Sequence, residues 1–234
     1  MKNLLQRLKS FFSFGGDATS ASPSPTKPAA QPHRPSGQDV EWDAQWLIIG
    51  LGNPGPKYAA TRHNIGYMAI DALLDREGAR LEPVKGMPAL VARVEIDGVP
   101  VMVARSTTFM NNSGEAIAPL AEKLGITPER VIVVHDELDI APGLVRVKKG
   151  GGEGGHNGLK STTAELGTKG YVRVRMGIGR PPQGMGVVDF VLAPFGGEDE
   201  QWLGGCIERT LEACSIVIGS GVERAQNIIH TAIK

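Results

Sequence analysis

Small polar residues stand directly behind apolar runs throughout this sequence. Asn53 follows "WLIIGLG", Asn111 follows "VMVARSTTFM", and His135 and Asp136 close "VIVVHD". Asn157 follows a glycine-rich run, and His63 stands just beyond a proline-containing loop. In open α/β sheets, ligands and catalytic groups gather at the carboxyl ends of the strands. If these runs are neighbouring parallel strands, the polar groups converge. A histidine, an aspartate and several asparagines suit general-base catalysis. Histidine is the side chain most easily poised near neutral pH. A carboxylate held against one ring nitrogen fixes the tautomer and stabilises the imidazolium that forms. Asparagine amides can hold a water or donate to an oxyanion. The sequence contains no G-x-S-x-G elbow, and neither cysteine lies near a histidine in a motif, which favours direct attack by water over a covalent intermediate. "HDELD" is acidic, but no H-E-x-x-H or paired-ligand spacing supports a metal site. His156 and His230, taken singly, read as surface or helix-capping residues.

The elements that must position these groups follow from periodicity. "WLIIGL" reads as a buried strand and "NIGYMAIDALLDREGA" as a helix, with Ile65, Met68, Ala69 and Leu73 on one face and Gly78 at its end. "ALVARVEIDGVPVMVARS" alternates with period two around Asp97-Gly98, a hairpin signal. "NNSGEAIAPLAEKLG" reads as a helix capped by Asn112 or Ser113, irregular at Pro119 and stopped by Gly125. "RVIVVHDELD", "LVRVKK" and "YVRVRMGIG" read as strands, "GGGEGG" as a loop and "HNGLKSTTAEL" as a helix. A long helix over "EDEQWLGGCIERTLEACSIVIG" and a shorter one over "VERAQNIIHTAIK" finish the chain. Strands alternating with helices, with one interior hairpin, predict an α/β fold: one domain with a mixed, mainly parallel twisted sheet flanked by helices on both faces.

Gly50, Gly52 and Gly55 match G-x-G-x-x-G, the dinucleotide-binding fingerprint. In that motif a helix opens at the second glycine and its amides hold a pyrophosphate. Here Pro54 and Pro56 would fall inside that helix. They remove amides and push the residues before them away from helical geometry. The apolar helical pattern begins only near Asn64, and no second strand with a ribose-binding acid follows at the expected spacing. The three glycines therefore open a turn-rich loop.

The 234 residues, 41% hydrophobic with 31 glycines and 5% aromatics, suffice for one core with many tight turns. Residues 45–234 carry that pattern. Residues 1–44 differ: Leu4, Leu5, Leu8, Phe11 and Phe12 recur at helical spacing, then a Ser/Pro/Ala-rich run follows, which reads as a short amphipathic segment and a disordered linker. Cys206 and Cys214 are the only cysteines and read as buried, reduced thiols. No apolar run approaches a membrane span. A cytoplasmic location is expected, with an organelle or a membrane tether through the amphipathic start as the alternatives. The formal net charge is zero, but eight basic residues lie between Ala141 and Arg180 against only Glu153 and Glu165. Such a local basic face can bind phosphates.

Five motifs together carry a specific resemblance: "GLGNPGPKYAATRHNIG", "TTFMNNSG", "HDELD", "GGGEGGHNGLKS" and "RVRMGIGRP". In order and content they resemble the bacterial-type peptidyl-tRNA hydrolase family, from about Trp46 to the C-terminus. The resemblance implies hydrolysis of the ester between a peptide and the tRNA 3′ ribose, releasing free tRNA. It implies that His63 is the general base, that Asp136 holds it in its basic form, and that Asn53 discriminates a blocked peptidyl amine from a free one. Tyr58, Phe109, Asn111 and Asn157 would line the peptidyl-adenosine end, and Lys148 and Arg175 would contact tRNA phosphate. No cofactor, metal, DNA or obligatory protein partner is implied, and a monomer is expected. Two departures stand out. "ARST" precedes "TFMN" where the family usually has Lys-Pro, so Arg105 would keep the charge without the rigid turn. Glu153 places an acid beside the proposed phosphate site.

Overall fold

The computed structural model describes residues 40–231. The amphipathic start and most of the linker expected in residues 1–44 lie outside this range. Glu41 and Asp43 already flank Arg93, at 3.6 and 3.7 Å, and the Lys123 ammonium stands 4.5 Å from the Trp42 ring.

Seven strands form one sheet: β1 (Trp46–Gly50), β2 (Glu82–Pro83), β3 (Ala89–Ile96), β4 (Val99–Ser106), β5 (Val131–Glu137), β6 (Val145–Lys149) and β7 (Val172–Gly177), in the order β2-β3-β4-β1-β5-β7-β6. The four central strands β4, β1, β5 and β7 are parallel, and β2, β3 and β6 join antiparallel at the margins. The sheet is thus mixed with a parallel centre, as the pattern predicts. β1, β4 and β5 read as unbroken apolar runs because residues 47–49, 101–104 and 131–134 are all shielded on both faces. The β3–β4 hairpin turns at Asp97 and Gly98, both with positive φ (51° and 76°), as the sequence anticipates.

Six helices are described: α1 (Ile65–Glu77), α2 (Gly114–Leu124), α3 (Asn157–Leu166), α4 (Val187–Leu192), α5 (Glu200–Ser220) and α6 (Val222–Thr231). α1 packs on β1 and β5 and against α5, α2 packs on β1 and β4 and against α3, and α6 lies along β6. α4, within "VVDFVLAPF", is an element that periodicity alone did not mark. The buried arc of α1 is also wider than predicted. Ile70, Leu74 and Tyr67 are buried while Met68 is only half-buried, because the helix is covered by the sheet on one side and α5 on another. Neither Asn112 nor Ser113 caps α2 through its side chain; the Ser113 hydroxyl instead donates to the Met110 carbonyl. Cys206 and Cys214 are buried and unpaired, and burial pushes both thiols up to about 12.

The glycines of the first motif have a packing role. A methyl group on Gly50 would stand 2.3 Å from the Gly66 carbonyl oxygen, and one on Gly66 would stand 2.4 Å from the Val134 carbonyl oxygen. A methyl on Gly52 would meet the Tyr67 ring at 2.7 Å. The start of α1 therefore rests directly on the ends of β1 and β5, and only backbone separates them. Pro56 opens a single 3₁₀ turn over Pro56–Tyr58, which confirms that no helix begins at Gly52.

This close approach sets a stability test. Gly66→Ala forces apart α1, Val134 and Leu51, and overpacking of this kind costs about 1–3 kcal/mol. Gly205→Ala, inside α5 with open space around its Cα, should stabilise by about 0.5–1 kcal/mol. Urea unfolding midpoints should fall for the first variant and rise for the second.

Candidate active site

The chain turns from the first loop into α1 through a 3₁₀ turn, Arg62–Asn64, and this turn carries His63. The turn is tied down from behind. The Arg62 amide donates to the Ala193 carbonyl at 3.1 Å, and the Phe195 amide donates to Ala60 at 2.8 Å. The Arg62 guanidinium lies 4.7 Å from the Phe190 ring and pairs with Asp199 at 2.5 Å. With the backbone fixed, the His63 imidazole faces the end of β5. Its Nδ1 stands 3.0 Å from both carboxylate oxygens of Asp136.

Asp136 is almost fully buried, and a second histidine shares it. His156 Nε2 lies 2.9 Å from Asp136 Oδ1, and its Nδ1 accepts the Leu159 amide at the start of α3. Accepting at Nδ1 places the ring proton on Nε2, so His156 donates to the carboxylate. The sequence reading of His156 as a capping residue is half of its role; its bond to Asp136 was missed because the two lie 20 residues apart on different elements. Burial pulls the Asp136 carboxyl up, but the charges and hydrogen bonds of His63 and His156 outweigh this and hold it well below the usual carboxylate range. Burial pulls His63 down, and the charge and hydrogen bond of Asp136 more than compensate, so its pKa lies above its ordinary value of 6.5. His135, also at the strand end, is a different group. It is buried, its Nδ1 lies 2.7 Å from the Asp136 carbonyl oxygen, and burial drives its pKa down to about 3. Of His63 and His135, only His63 can change charge near neutral pH.

Asn53 is held by a third residue that the sequence did not single out. The buried Asn64 accepts from the Asn53 amide and donates to the Asn53 carbonyl, both at 2.9 Å, so its side chain acts as a short strand partner. Asn53 Oδ1 accepts the Met110 amide at 2.9 Å. No described residue engages its Nδ2.

The remaining expected residues form the rim. Phe109 is 56% exposed, with its ring edge-on to Tyr58 at 6.2 Å. Asn111, next to Met110, is exposed and donates to Asn112 Oδ1; Asn157, next to His156, is exposed and faces Lys160. The turn before Phe109 is rigid without a proline. Ser106 Oγ accepts the Thr108 amide at 2.9 Å and meets Thr108 Oγ1 at 2.6 Å, and Thr108 Oγ1 donates to the Asn112 carbonyl. Arg105 does not face this rim: it pairs with Asp71 and donates to the Tyr67 carbonyl. Arg175 is paired as well, with Nε and Nη2 at 3.0 and 2.9 Å from Glu137 Oε2. Lys148 lies against Gly151. Glu153, the acid in the glycine loop, is turned to Lys169 at 3.3 Å.

His63, Asp136 and His156 have ligand atoms within 4.8 Å of one another, a spacing that a metal ion could use. Of the "HDELD" residues only Asp136 belongs to that set. His63 Nδ1 and His156 Nε2 both stand at hydrogen-bond distance from the one carboxylate, and the two rings lie 5.0 Å apart. Among the described residues no helix is long and apolar enough to cross a membrane.

The family model described as peptidyl-tRNA hydrolase matches residues 47–234. A protein named peptidyl-tRNA hydrolase 2 from Corynebacterium jeikeium is 53% identical over 87% of each chain. A peptidyl-tRNA hydrolase from Frankia alni is 46% identical over 82% of this chain and 96% of its own. The crystal structure of peptidyl-tRNA hydrolase from Acinetobacter baumannii superposes with a TM-score of 0.74 at 35% identity, covering 83% of this chain and 98% of that one. Motifs, fold and relatives agree, and the chain belongs to the peptidyl-tRNA hydrolase family.

Proposed function

We propose that this protein hydrolyses the ester bond of peptidyl-tRNA by attack of a water that His63 activates. The observation that carries this reading is the pairing of His63 Nδ1 with the buried Asp136 carboxylate. Nδ1 is the donor in that pair, so the lone pair sits on Nε2, which no described residue engages. Nε2 takes a proton from water, and the water oxygen adds to the ester carbonyl carbon. Asparagine amides donate to the oxyanion. Collapse then breaks the carbon–oxygen bond to the ribose, whose 3′ oxygen takes the proton back from His63. Asp136 stabilises the imidazolium during this cycle. An ester has a good leaving group, so a base, a held water and oxyanion donors suffice.

The substrate contacts follow from what the fold leaves free. Asn53 has given its oxygen to Met110, so it offers only a donor. A blocked peptidyl amine carries an amide carbonyl that can accept, whereas a free aminoacyl ammonium can only donate. The site therefore favours peptidyl over aminoacyl ester. Tyr58 and Phe109 present aromatic surface for the unpaired adenosine, and Asn111 and Asn157 offer amides around it. Lys148 and Arg175 would meet backbone phosphate, Arg175 by exchanging Glu137 for it. The enzyme reading implies a cytoplasmic, monomeric protein with peptidyl-tRNA as its partner.

Three measurements check these roles. Peptide release from N-blocked aminoacyl-tRNA should fall by about 10²–10⁴-fold in His63→Ala. His63 works as the neutral base and its pKa is raised, so kcat of the wild type should drop as pH falls through a value above 6.5. Asp136→Asn removes the raising charge. Its acidic limb should move to lower pH while its plateau falls; an unmoved limb would assign the titration to another group. Asn53→Asp supplies an acceptor in place of the donor. It should lower release from blocked tRNA and narrow the preference over free aminoacyl-tRNA by at least about tenfold.

A further inference from the structure

The basic stretch spends its charges unequally. In the β6–β7 pair Lys148 stands opposite Arg173 and Arg146 opposite Arg175. Like charges directly opposed repel, and Arg173 escapes by turning inward. It is 1% exposed, with its guanidinium 4.7 Å from the Tyr171 ring. Nη1 donates to the Gly152 carbonyl at 2.7 Å and Nη2 to the Gly151 carbonyl at 2.9 Å, while Nε is buried without a partner. A buried cation is costly unless it is paired or fully hydrogen-bonded. Here two carbonyls of the glycine loop hold it, and no described carboxylate forms an ion pair with it.

That arrangement fixes the loop from beneath. All peptides among the described residues are trans, so each amide points opposite to the carbonyl of the same peptide plane. With the Gly151 and Gly152 carbonyls on Arg173, the Gly152 and Glu153 amides face away from it. The Gly152 amide donates to no described group. The Glu153 amide has its own carboxylate beside it, which leaves Gly152 as the available donor. Lys148 completes the arrangement: a methyl group on Gly151 would stand 2.6 Å from both Cε and Nζ of Lys148, so the ammonium lies directly on the loop. Gly151 itself has φ +86°, which disfavours any side chain there.

We propose that Arg173 is a positioning residue for substrate binding: by holding the Gly151 and Gly152 carbonyls under the loop, it presents the Gly152 amide beside the Lys148 ammonium as a two-point site for an RNA backbone phosphate. This rests on the reading of Lys148 as a phosphate contact and adds to it a backbone donor and the buried cation that aims it. An outward amide next to a lysine is a geometry that suits a phosphate oxygen, and it reads no base.

The test is steady-state peptide release by the full chain from two substrates: N-blocked aminoacyl-tRNA, and the same blocked amino acid esterified to a CCA trinucleotide that lacks the tRNA body. Arg173→Met should raise KM on tRNA by about tenfold, the loss expected for one charge-assisted hydrogen bond, with kcat within about twofold and the short ester unaffected. Arg173→Lys, able to reach one carbonyl, should fall between. Lys148→Ala should show the same substrate-dependent pattern. Equal losses on both substrates, or a fall in kcat at unchanged KM, would overturn the proposal. A Lys148→Ala effect without an Arg173 effect would overturn the loop's part and leave the Lys148 reading standing. No Lys148→Ala effect would overturn both. If Arg173→Met does not fold, amide spectra of the wild type titrated with an acceptor-stem RNA hairpin decide: the Gly152 amide should be among those that shift most, and an unmoved Gly152 amide would contradict the site.

Discussion

The structure turns on one buried carboxylate. Asp136 sits at the end of a central strand, almost wholly removed from water. An isolated ionised carboxylate is very costly to bury. Two histidines make this one tolerable, His63 from one side and His156 from the other. Each arrives on a separate element, so satisfying Asp136 requires three elements to meet: the end of β5, the turn before α1 and the first residues of α3. The packing serves that meeting. Gly50 and Gly66 let α1 rest on the β1 and β5 backbones, which brings the turn carrying His63 to the strand end. The His156 ring joins the cap of α3 to the carboxylate, and Asn157 follows it in the chain.

One carboxylate facing two histidines also divides their work. His156 is committed by its bond to the Leu159 amide, so it serves as a donor that orients Asp136. His63 keeps a free nitrogen and a raised pKa, the properties of a base. His135 is adjacent in sequence to Asp136 yet lies inside the core, where burial keeps it neutral. Adjacency to the acid alone does not separate the two; burial and which atoms of Asp136 they meet do.

Much of the fold is legible in the sequence because its signals are local. The apolar runs of β1, β4 and β5, the Asp97-Gly98 turn and the glycine stops after α1 and α2 each depend on a few neighbouring residues. The two prolines likewise exclude a phosphate-binding helix at Gly52. What was not legible depends on distant partners. Asn64 bonds Asn53, His156 bonds Asp136, and Arg173 bonds Gly151 and Gly152 across separations that periodicity does not encode. α4 is too short for a clear period. The loss of Lys-Pro before Phe109 looked like a loss of rigidity, but the Ser106 and Thr108 hydroxyls supply hydrogen bonds that fix the turn. The basic stretch could have formed one phosphate-binding face. It is instead divided: Arg173 faces inward, Arg175 and Arg180 are paired with Glu137 and Asp139, and Lys148 lies on the glycine loop.

The proposed mechanism depends on Asp136 holding His63 as the titrating base while His135 stays neutral beside it. Nitrogen-15 NMR of the histidine rings across a pH titration tests this most directly, because it reports both the charge and the protonated nitrogen of each ring. His63 should titrate above 6.5 and carry its proton on Nδ1 when neutral, and His135 should remain neutral down to about pH 3 unless the protein unfolds first. A His63 that titrates below 6.5, or that carries its neutral proton on Nε2, would contradict it.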